Sequence, residues 1–163
     1  MITDLGKHAC IKILHDNYIG HLAYIYNGLP YVIPITYFYD QDSITVIAYS
    51  GEGHKIKALR INKYVSLEIS EITTVNNWKS ILVHGTFEEL EGPDAKYELH
   101  KFALGVKKLI EKNEYNEVDF IPEFSGKTNP ESMPIVYRIN IQEITGKKRK
   151  SNIKQQSTPY IQK

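Results

Sequence analysis

The sequence of 163 residues predicts a mainly β protein, a six-stranded antiparallel barrel, closed or split, with flanking helices. Six segments are rich in β-branched and aromatic residues with the two-residue period of a strand, and tight-turn residues separate them. Only three segments have helical spacing. The 12 tyrosines support the same prediction, because aromatic residues favour strands.

The first half of the chain is predicted to form a helix and three strands, over residues 4–16, 19–26, 31–39 and 43–49. The first two strands are joined by Asn27-Gly28, the dipeptide most typical of a two-residue hairpin turn, because both positions need positive φ. The second strand contains Pro34, which cannot donate a hydrogen bond to a ladder. We therefore expect that strand to lie at an edge or to carry a bulge.

The second half is predicted to add a short helix, two strands, a long helix and a last strand, over residues 55–62, 64–72, 81–90, 92–110 and 135–144. The long helix opens at Gly92-Pro93-Asp94, and its apolar residues from Ala95 to Ile110 lie on one face. Residues 113–131 contain prolines and a glycine and are predicted to be a loop.

Composition indicates an ordinary globular protein, with 42% apolar and 24% charged residues. The single cysteine, Cys10, excludes an intrachain disulfide and a four-thiolate metal site. The six histidines have no metal-binding spacing, so no metal is expected. No apolar run approaches the roughly 18 residues of a membrane span, and the first residues lack the apolar stretch of a signal peptide. We expect a cytoplasmic protein with no membrane partner.

The net charge of +1 is unevenly distributed. Residues 147–163 hold six of the 20 basic residues and no acidic residue, so residues 1–146 carry 14 basic against 19 acidic residues, a net charge of −5. An acidic body is a poor match to a phosphate backbone, so no nucleic-acid partner is expected. We predict one domain over residues 1–146 and a basic, disordered tail over residues 147–163.

One segment has the composition of a phosphate site. Residues 48–55, AYSGEGHK, run from the end of a strand through two glycines into a helix. The unpaired amides and positive dipole end of a helix start attract anions. Ser50 adds a hydroxyl, and His54 and Lys55 add cationic donors. An ordinary strand-to-helix connection with surface charges is the alternative. The sequence has no GxGxxG, Walker or GxSxG motif.

Four short motifs share a pattern with a known family: Gly20-His21-Leu22-Ala23, Pro34 to Tyr37, Gly53-His54-Lys55, and Ser80-Ile81 to Gly85. In their order and spacing they resemble the flavin-binding split-barrel proteins of the pyridoxamine 5'-phosphate oxidase type. Within that superfamily the chain is most similar to the group related to nitroimidazole resistance (Nim) proteins. The resemblance implies a split barrel that binds FMN, with FAD as the alternative, at a homodimer interface.

The resemblance also implies roles for individual residues. Ser50, His54 and Lys55 would hold the FMN phosphate. Backbone groups along one strand would run beside the isoalloxazine ring, at Pro34, Ile35, Thr36 and Tyr37. The ring and ribityl chain would be flanked by Ile47, Ala48 and Tyr49. Trp78 and Ser80 would reach the cofactor from the second subunit.

Many Nim-related proteins have a histidine shortly before the Gly-x-Lys motif, whereas this sequence has Ala48-Tyr49-Ser50. The resemblance therefore does not extend to chemistry that uses that histidine. The expected activity is FMN-dependent reduction of a small organic molecule, for example a nitroaromatic compound, with no side chain as an essential acid or base. The alternatives are a flavin carrier or sensor without turnover, and a haem-binding relative that would need an axial ligand from His21, His54 or His84.

Overall fold

A computed structural model describes residues 1–114 and 134–150. The chain is mainly β, as predicted. The helices are α1 (Lys7–Asp16), α2 (His54–Ile61) and α3 (Gly92–Glu114). The strands are β1 (Ile2–Asp4), β2 (Ile19–Tyr26), β3 (Leu29–Thr36), β4 (Phe38–Asp40), β5 (Thr45–Ser50), β6 (Tyr64–Thr74), β7 (Asn77–Glu89) and β8 (Ile135–Arg149).

All eight strands form one antiparallel sheet in the order β3-β2-β6-β7-β8-β5-β4, and β1 pairs with β8. This is the predicted mainly β barrel with flanking helices, but the described part of the chain has eight strands in place of the predicted six. The additional strands are β1 and β4, which have three residues each. The predicted strand over residues 31–39 is divided at Tyr37 into β3 and β4.

The β2–β3 hairpin has the predicted turn: φ is +49° at Asn27 and +74° at Gly28. Among the described residues, strand β3 pairs only with β2 and lies at the edge of the sheet, so Pro34 is on an edge strand, as its missing N–H requires. Within β2, Gly20 packs closely on β6. A Cβ at that position would lie 2.9 Å from Leu67 Cδ1 and 3.0 Å from the Glu68 carbonyl oxygen.

Two apolar clusters hold the sheet and helices together. The main core includes side chains of α1 and α2 and of the inward faces of the strands, among them Leu14, Leu22, Leu59, Leu67, Val83 and Ile139. A second cluster attaches α3 to the sheet through Ile47, Phe102, Val106 and Val136. The helical spacing of residues 95–110 therefore predicted the buried face of α3 correctly.

The end of the sheet differs from the predicted domain boundary. β8 continues to Arg149, and residues 147–149 pair with β1 on one side and with residues 78–80 of β7 on the other. The first three residues of the predicted basic tail are thus part of the sheet. The loop predicted over residues 113–131 begins later than expected, because residues 113 and 114 belong to α3. The rest of that loop and residues 151–163 lie outside the described residues. No helix in the described part of the chain is long and apolar enough to cross a membrane.

Candidate functional site

The predicted phosphate site lies where β5 ends and α2 begins. Ser50 is the last residue of β5, and its hydroxyl donates to the Gly51 carbonyl oxygen at 3.0 Å. The helix cap, Gly53, offers no side-chain hydrogen bond to the first turn, and that turn contains no acidic residue. The first amides of α2 are therefore not satisfied by a capping side chain, which is the usual condition of an anion-binding helix start.

Lys55 is a half-buried cation in the first turn of α2. Within residues 1–114 and 134–150, no carboxylate lies within ion-pair distance of its ammonium group. The ammonium group lies over the ring of Tyr137, whose centre is 5.8 Å from Lys55 Nζ. Burial lowers the pKa of Lys55, because removal from water disfavours the charged form. A phosphate beside this ammonium would reverse that penalty.

Tyr137 on β8 was not among the residues predicted from the sequence. Its side chain is fully buried, its ring packs 5.2 Å from the ring of Phe87, and it pairs in register with Ala48. Its buried hydroxyl has no hydrogen-bond partner among the described residues. An orphaned buried hydroxyl is unusual and costs free energy, so a bound molecule or water that accepts from it would stabilise the site.

His54 is placed differently from Lys55, although the two residues are adjacent. Its ring lies among three tyrosines of the β2–β3 hairpin, at centroid distances of 6.0 Å from Tyr24, 4.8 Å from Tyr26 and 4.7 Å from Tyr31. His54 Nδ1 is 3.1 Å from the Tyr24 hydroxyl. We call these three side chains the tyrosine pocket. The residue as a whole remains exposed, so the pocket holds the ring without enclosing it.

Strand β3, which is expected to run beside the isoalloxazine ring, presents Pro34 and Thr36 to solvent and Ile35 to the core. Tyr37 follows the strand and is fully buried. Its N–H donates to the Tyr18 carbonyl oxygen at 2.8 Å, and its hydroxyl donates to the Leu14 carbonyl oxygen at 2.9 Å. The polar groups of Tyr37 are thus used inside the protein, whereas the outer edge of β3 has no neighbouring strand among the described residues.

Residues of β5 alternate between two faces. Ile47 and Tyr49 face α3, where Tyr49 meets the ring of Phe102 edge-on at 5.2 Å. Ala48 belongs to the main core, which also contains Tyr137. The structure therefore brings Ala48, Tyr137 and Lys55 together, while the side chains of Ile47 and Tyr49 belong to the α3 interface.

Trp78 and Ser80 lie at the opposite end of the sheet from Tyr137. In the β7–β8 register Tyr137 pairs with Glu89, and Trp78 pairs with Arg149. Glu89 and Trp78 are eleven positions apart on β7, which is roughly 35 Å along an extended strand. The Ser80 hydroxyl donates to Glu68 Oε1 at 2.8 Å. Within one chain, Trp78 and Lys55 do not belong to the same site.

The three histidines considered as haem ligands lie on three different elements, and each has Nδ1 next to a side-chain oxygen. His21 on β2 is 3.1 Å from Glu68, His54 on α2 is 3.1 Å from Tyr24, and His84 on β7 is 2.7 Å from Ser66. No group of three or more His, Cys, Asp or Glu side chains in the described ranges is arranged to hold a metal ion.

Comparison with known proteins shows to which family this chain belongs. Residues 6–148 match the sequence profile described as pyridoxamine 5'-phosphate oxidase. The chain belongs to this family. The chain is also similar to an uncharacterised protein of Rhizobium meliloti (strain 1021), with 26% identity over 145 residues, which are 88% of this chain and 92% of that protein.

Two solved structures share the split-barrel fold of the family. An FAD-binding protein from Mesorhizobium loti is 27% identical, with a TM-score of 0.70 over 91% of this chain and 98% of that one. A protein named for 5-nitroimidazole antibiotic resistance, from Bacteroides thetaiotaomicron, is 19% identical, with a TM-score of 0.65 over 90% of this chain and 87% of that one. The resemblance to the family that was inferred from the four short motifs is thereby confirmed.

Proposed function

We propose that this protein binds FMN at the start of α2 and reduces a small organic acceptor, for example a nitroaromatic compound. The observation that carries the proposal is Lys55, a half-buried cation in a helix first turn with no anionic partner in the described chain. The FAD-binding relative from Mesorhizobium loti, 27% identical over 91% of the chain, supports a flavin as the anion.

The residues present fit a flavin phosphate. Lys55 supplies the charge, the uncapped amides of α2 supply donors, and Ser50 supplies a hydroxyl beside them. The Tyr137 side chain, whose ring centre is 5.8 Å from Lys55 Nζ, has an orphaned hydroxyl that lacks an acceptor in the described part of the chain. In this proposal the unpaired edge of β3, from Pro34 to Thr36, offers backbone groups to the ring.

A flavin supplies its own electron and hydride chemistry, so the protein's task is to bind, orient and exclude water. The tyrosines of the site are unsuitable as proton donors. Burial raises the pKa of both Tyr37 and Tyr137 above the usual tyrosine value, so both hydroxyls stay protonated at neutral pH. We therefore propose that the protons reach the acceptor from water and that no side chain is an essential acid or base.

A titration tests the cofactor site. Purified protein should show a flavin absorption spectrum or acquire one when FMN is added, with FAD and riboflavin titrated in parallel. Lys55→Ala should weaken FMN binding by about 10- to 100-fold, because it removes a charge-assisted hydrogen bond of about 1.5–3 kcal/mol. Riboflavin, which lacks the phosphate, should bind both proteins almost equally.

The matched control is Lys57→Ala, two residues further along α2. Lys57 is exposed and carries the same charge, so its removal leaves the proposed phosphate contact intact. Equal loss of FMN affinity in both variants would indicate a general effect of charge, and an unchanged affinity in Lys55→Ala would refute the site.

A flavin carrier or sensor is the alternative to an enzyme. Anaerobic reduction of the flavin, followed by mixing with a nitro acceptor, separates the two by the return of flavin absorbance. Turnover supports the oxidoreductase. A wild type that binds FMN but is reoxidised by none of a panel of acceptors supports the carrier or sensor.

We further propose that the flavin site is completed by a second copy of the chain, with Trp78 and Ser80 of the partner beside the ring. These two residues lie too far from Lys55 within a single chain to share its site, so a role for them at the flavin requires a partner copy.

A further inference from the structure

The tyrosine pocket is formed entirely by the β2–β3 hairpin, whereas the histidine it holds begins α2. Tyr24 and Tyr31 are opposite each other in the hairpin register, and their rings stack at 5.3 Å with an interplanar angle of 10°. His54 contacts both of these rings and meets the Tyr26 ring edge-on. The hydrogen bond between His54 Nδ1 and the Tyr24 hydroxyl fixes the orientation of the imidazole.

The loop before His54 is supported from outside by an exposed ion pair between Glu52 and Arg60 at 2.8 Å. A Cβ added at Gly51 or at Gly53 would meet no atom within 4 Å, so nothing packs against the Cβ side of either glycine. The cap of α2 makes no side-chain hydrogen bond. Two described contacts therefore hold the first turn of α2: Ile56 is buried in the main core, and His54, next to Lys55, lies against the tyrosine pocket.

Adjacent residues of an α-helix point about 100° apart, so fixing the direction of one side chain fixes the direction of the next. We infer that His54 is a positioning residue: it anchors the start of α2 to the β2–β3 hairpin and thereby aims Lys55, and it does not bind the phosphate itself. This inference rests on the proposed flavin site, and it replaces the expectation that His54 is a direct phosphate ligand.

A double-mutant cycle separates the two roles. The preference for FMN over riboflavin, measured as the ratio of their dissociation constants, is compared among wild type, His54→Ala, Lys55→Ala and the double variant. If His54 acts through Lys55, each single change lowers the preference by about 10-fold or more, and the double variant is no worse than Lys55→Ala. If His54 binds the phosphate directly, the two losses multiply and the inference is overturned.

His54→Phe keeps an aromatic ring in the tyrosine pocket but can neither donate a hydrogen bond nor carry a charge. We expect it to retain most of the preference for FMN, whereas a direct ligand would lose it. Amide hydrogen exchange of the flavin-free protein gives an independent reading: the first turn of α2 should exchange faster in His54→Ala and at the wild-type rate in His54→Phe.

A lower melting temperature in His54→Ala with an unchanged preference for FMN would show a merely structural role and overturn the inference. Failure of the proposed function gives a different result, since a wild type that binds neither FMN nor riboflavin has no preference to measure. In that case the exchange experiment still decides whether His54 anchors α2.

Discussion

Two buried tyrosines show how one residue type serves different purposes in this fold. Tyr37 and Tyr137 are both fully buried, and burial raises the pKa of both hydroxyls. The Tyr37 hydroxyl donates to the Leu14 carbonyl oxygen, which attaches α1 to the sheet. The Tyr137 hydroxyl has no acceptor in the described chain, and it is attached to the ring over which the Lys55 ammonium group lies. The first is therefore a stabilising group, and the second costs stability unless a ligand or water satisfies it.

Tyr137→Phe should consequently change stability and binding in opposite directions. Removing an unsatisfied buried hydroxyl avoids a desolvation penalty of about 1–3 kcal/mol, so the flavin-free protein should melt at a higher temperature. The affinity for FMN should fall, by about 10-fold if one hydrogen bond to the bound flavin is lost. Thermal unfolding without flavin and an FMN titration measure the two effects.

Tyr37→Phe is the matched control for stability, because it deletes the same atom from an equally buried ring whose hydroxyl is satisfied. It should lower the melting temperature of the flavin-free protein. If Tyr137→Phe also lowers this melting temperature, the Tyr137 hydroxyl already has a partner in the flavin-free protein, such as ordered water. It would then not be an unsatisfied group that needs a cofactor.

Site residues could be predicted from the sequence where their partners are close along the chain, and were missed where their partners are distant. Ser50 and Lys55 were predicted because a strand end, two glycines and a helix start are all local in sequence. Tyr137 was missed because its significance depends on which buried groups lack a partner, and that is decided by residues far away in the chain. The tyrosine pocket was missed for a related reason: its rings come from residues 24–31, whereas the histidine is at position 54.

At the scale of elements, prediction succeeded where a pattern repeats and failed where it is too short. The 23-residue helix α3 and strand β2 were predicted well because each carries several periods of its pattern. A strand of three residues such as β1 contains no repeat, and its pairing with β8 is decided by register. The division of the second strand at Tyr37 follows from the inward turn of that side chain, which alternation alone does not predict.

Helix α3 is attached to the β4–β5 turn by a buried ion pair between Lys101 and Asp40. Asp40 is 4% exposed, and its carboxylate also accepts from the Ser43 hydroxyl at 2.6 Å. Burial alone would raise the pKa of Asp40, but the hydrogen bonds from Lys101 and Ser43 outweigh it and hold the pKa below its usual value. The pair should therefore stabilise the fold wherever Asp40 is ionised.

Lys101→Met should lower the free energy of unfolding at pH 7 by about 1.5–3 kcal/mol, the scale of a hydrogen bond to a charged group. Because the folded pKa of Asp40 is lowered, its contribution is fully present above the unfolded pKa of about 4 and is lost as pH falls through the folded value. The difference between wild type and variant should therefore shrink on acidification. Urea unfolding at pH 7, 5 and 3 measures it.

The control for this prediction is Lys107→Met, on the same helix. Lys107 forms an exposed pair with Glu111 at 3.8 Å, and pairs of that kind contribute little. A difference that stays constant with pH, or that is matched by Lys107→Met, would mean that Asp40 does not depend on Lys101.

At the scale of the whole molecule, the sheet separates the two halves of the proposed flavin site. Lys55 and Tyr137 lie near one end of β7, and Trp78 lies near the other. In a two-fold symmetric dimer the same patch of both copies forms the interface, and residue i of one copy contacts residue j of the other, so two residues that are remote within a chain can meet across the interface. In the proposed homodimer, each flavin site therefore takes Lys55 from one chain and Trp78 from the other.

Mixing two defective variants tests whether Lys55 and Trp78 of one flavin site come from different chains. Lys55→Ala and Trp78→Ala should each bind FMN weakly as homodimers. After co-refolding in equal amounts, random pairing gives half heterodimers, and each heterodimer has one site with both lesions and one intact site. About a quarter of all sites should then bind FMN with wild-type affinity, as a titration would show. If Lys55 and Trp78 acted within one chain, every site in the mixture would carry a lesion and no high-affinity class would appear. Wild-type affinity in Trp78→Ala alone would remove Trp78 from the site, and a flavin-bound monomer in light scattering would remove the partner altogether.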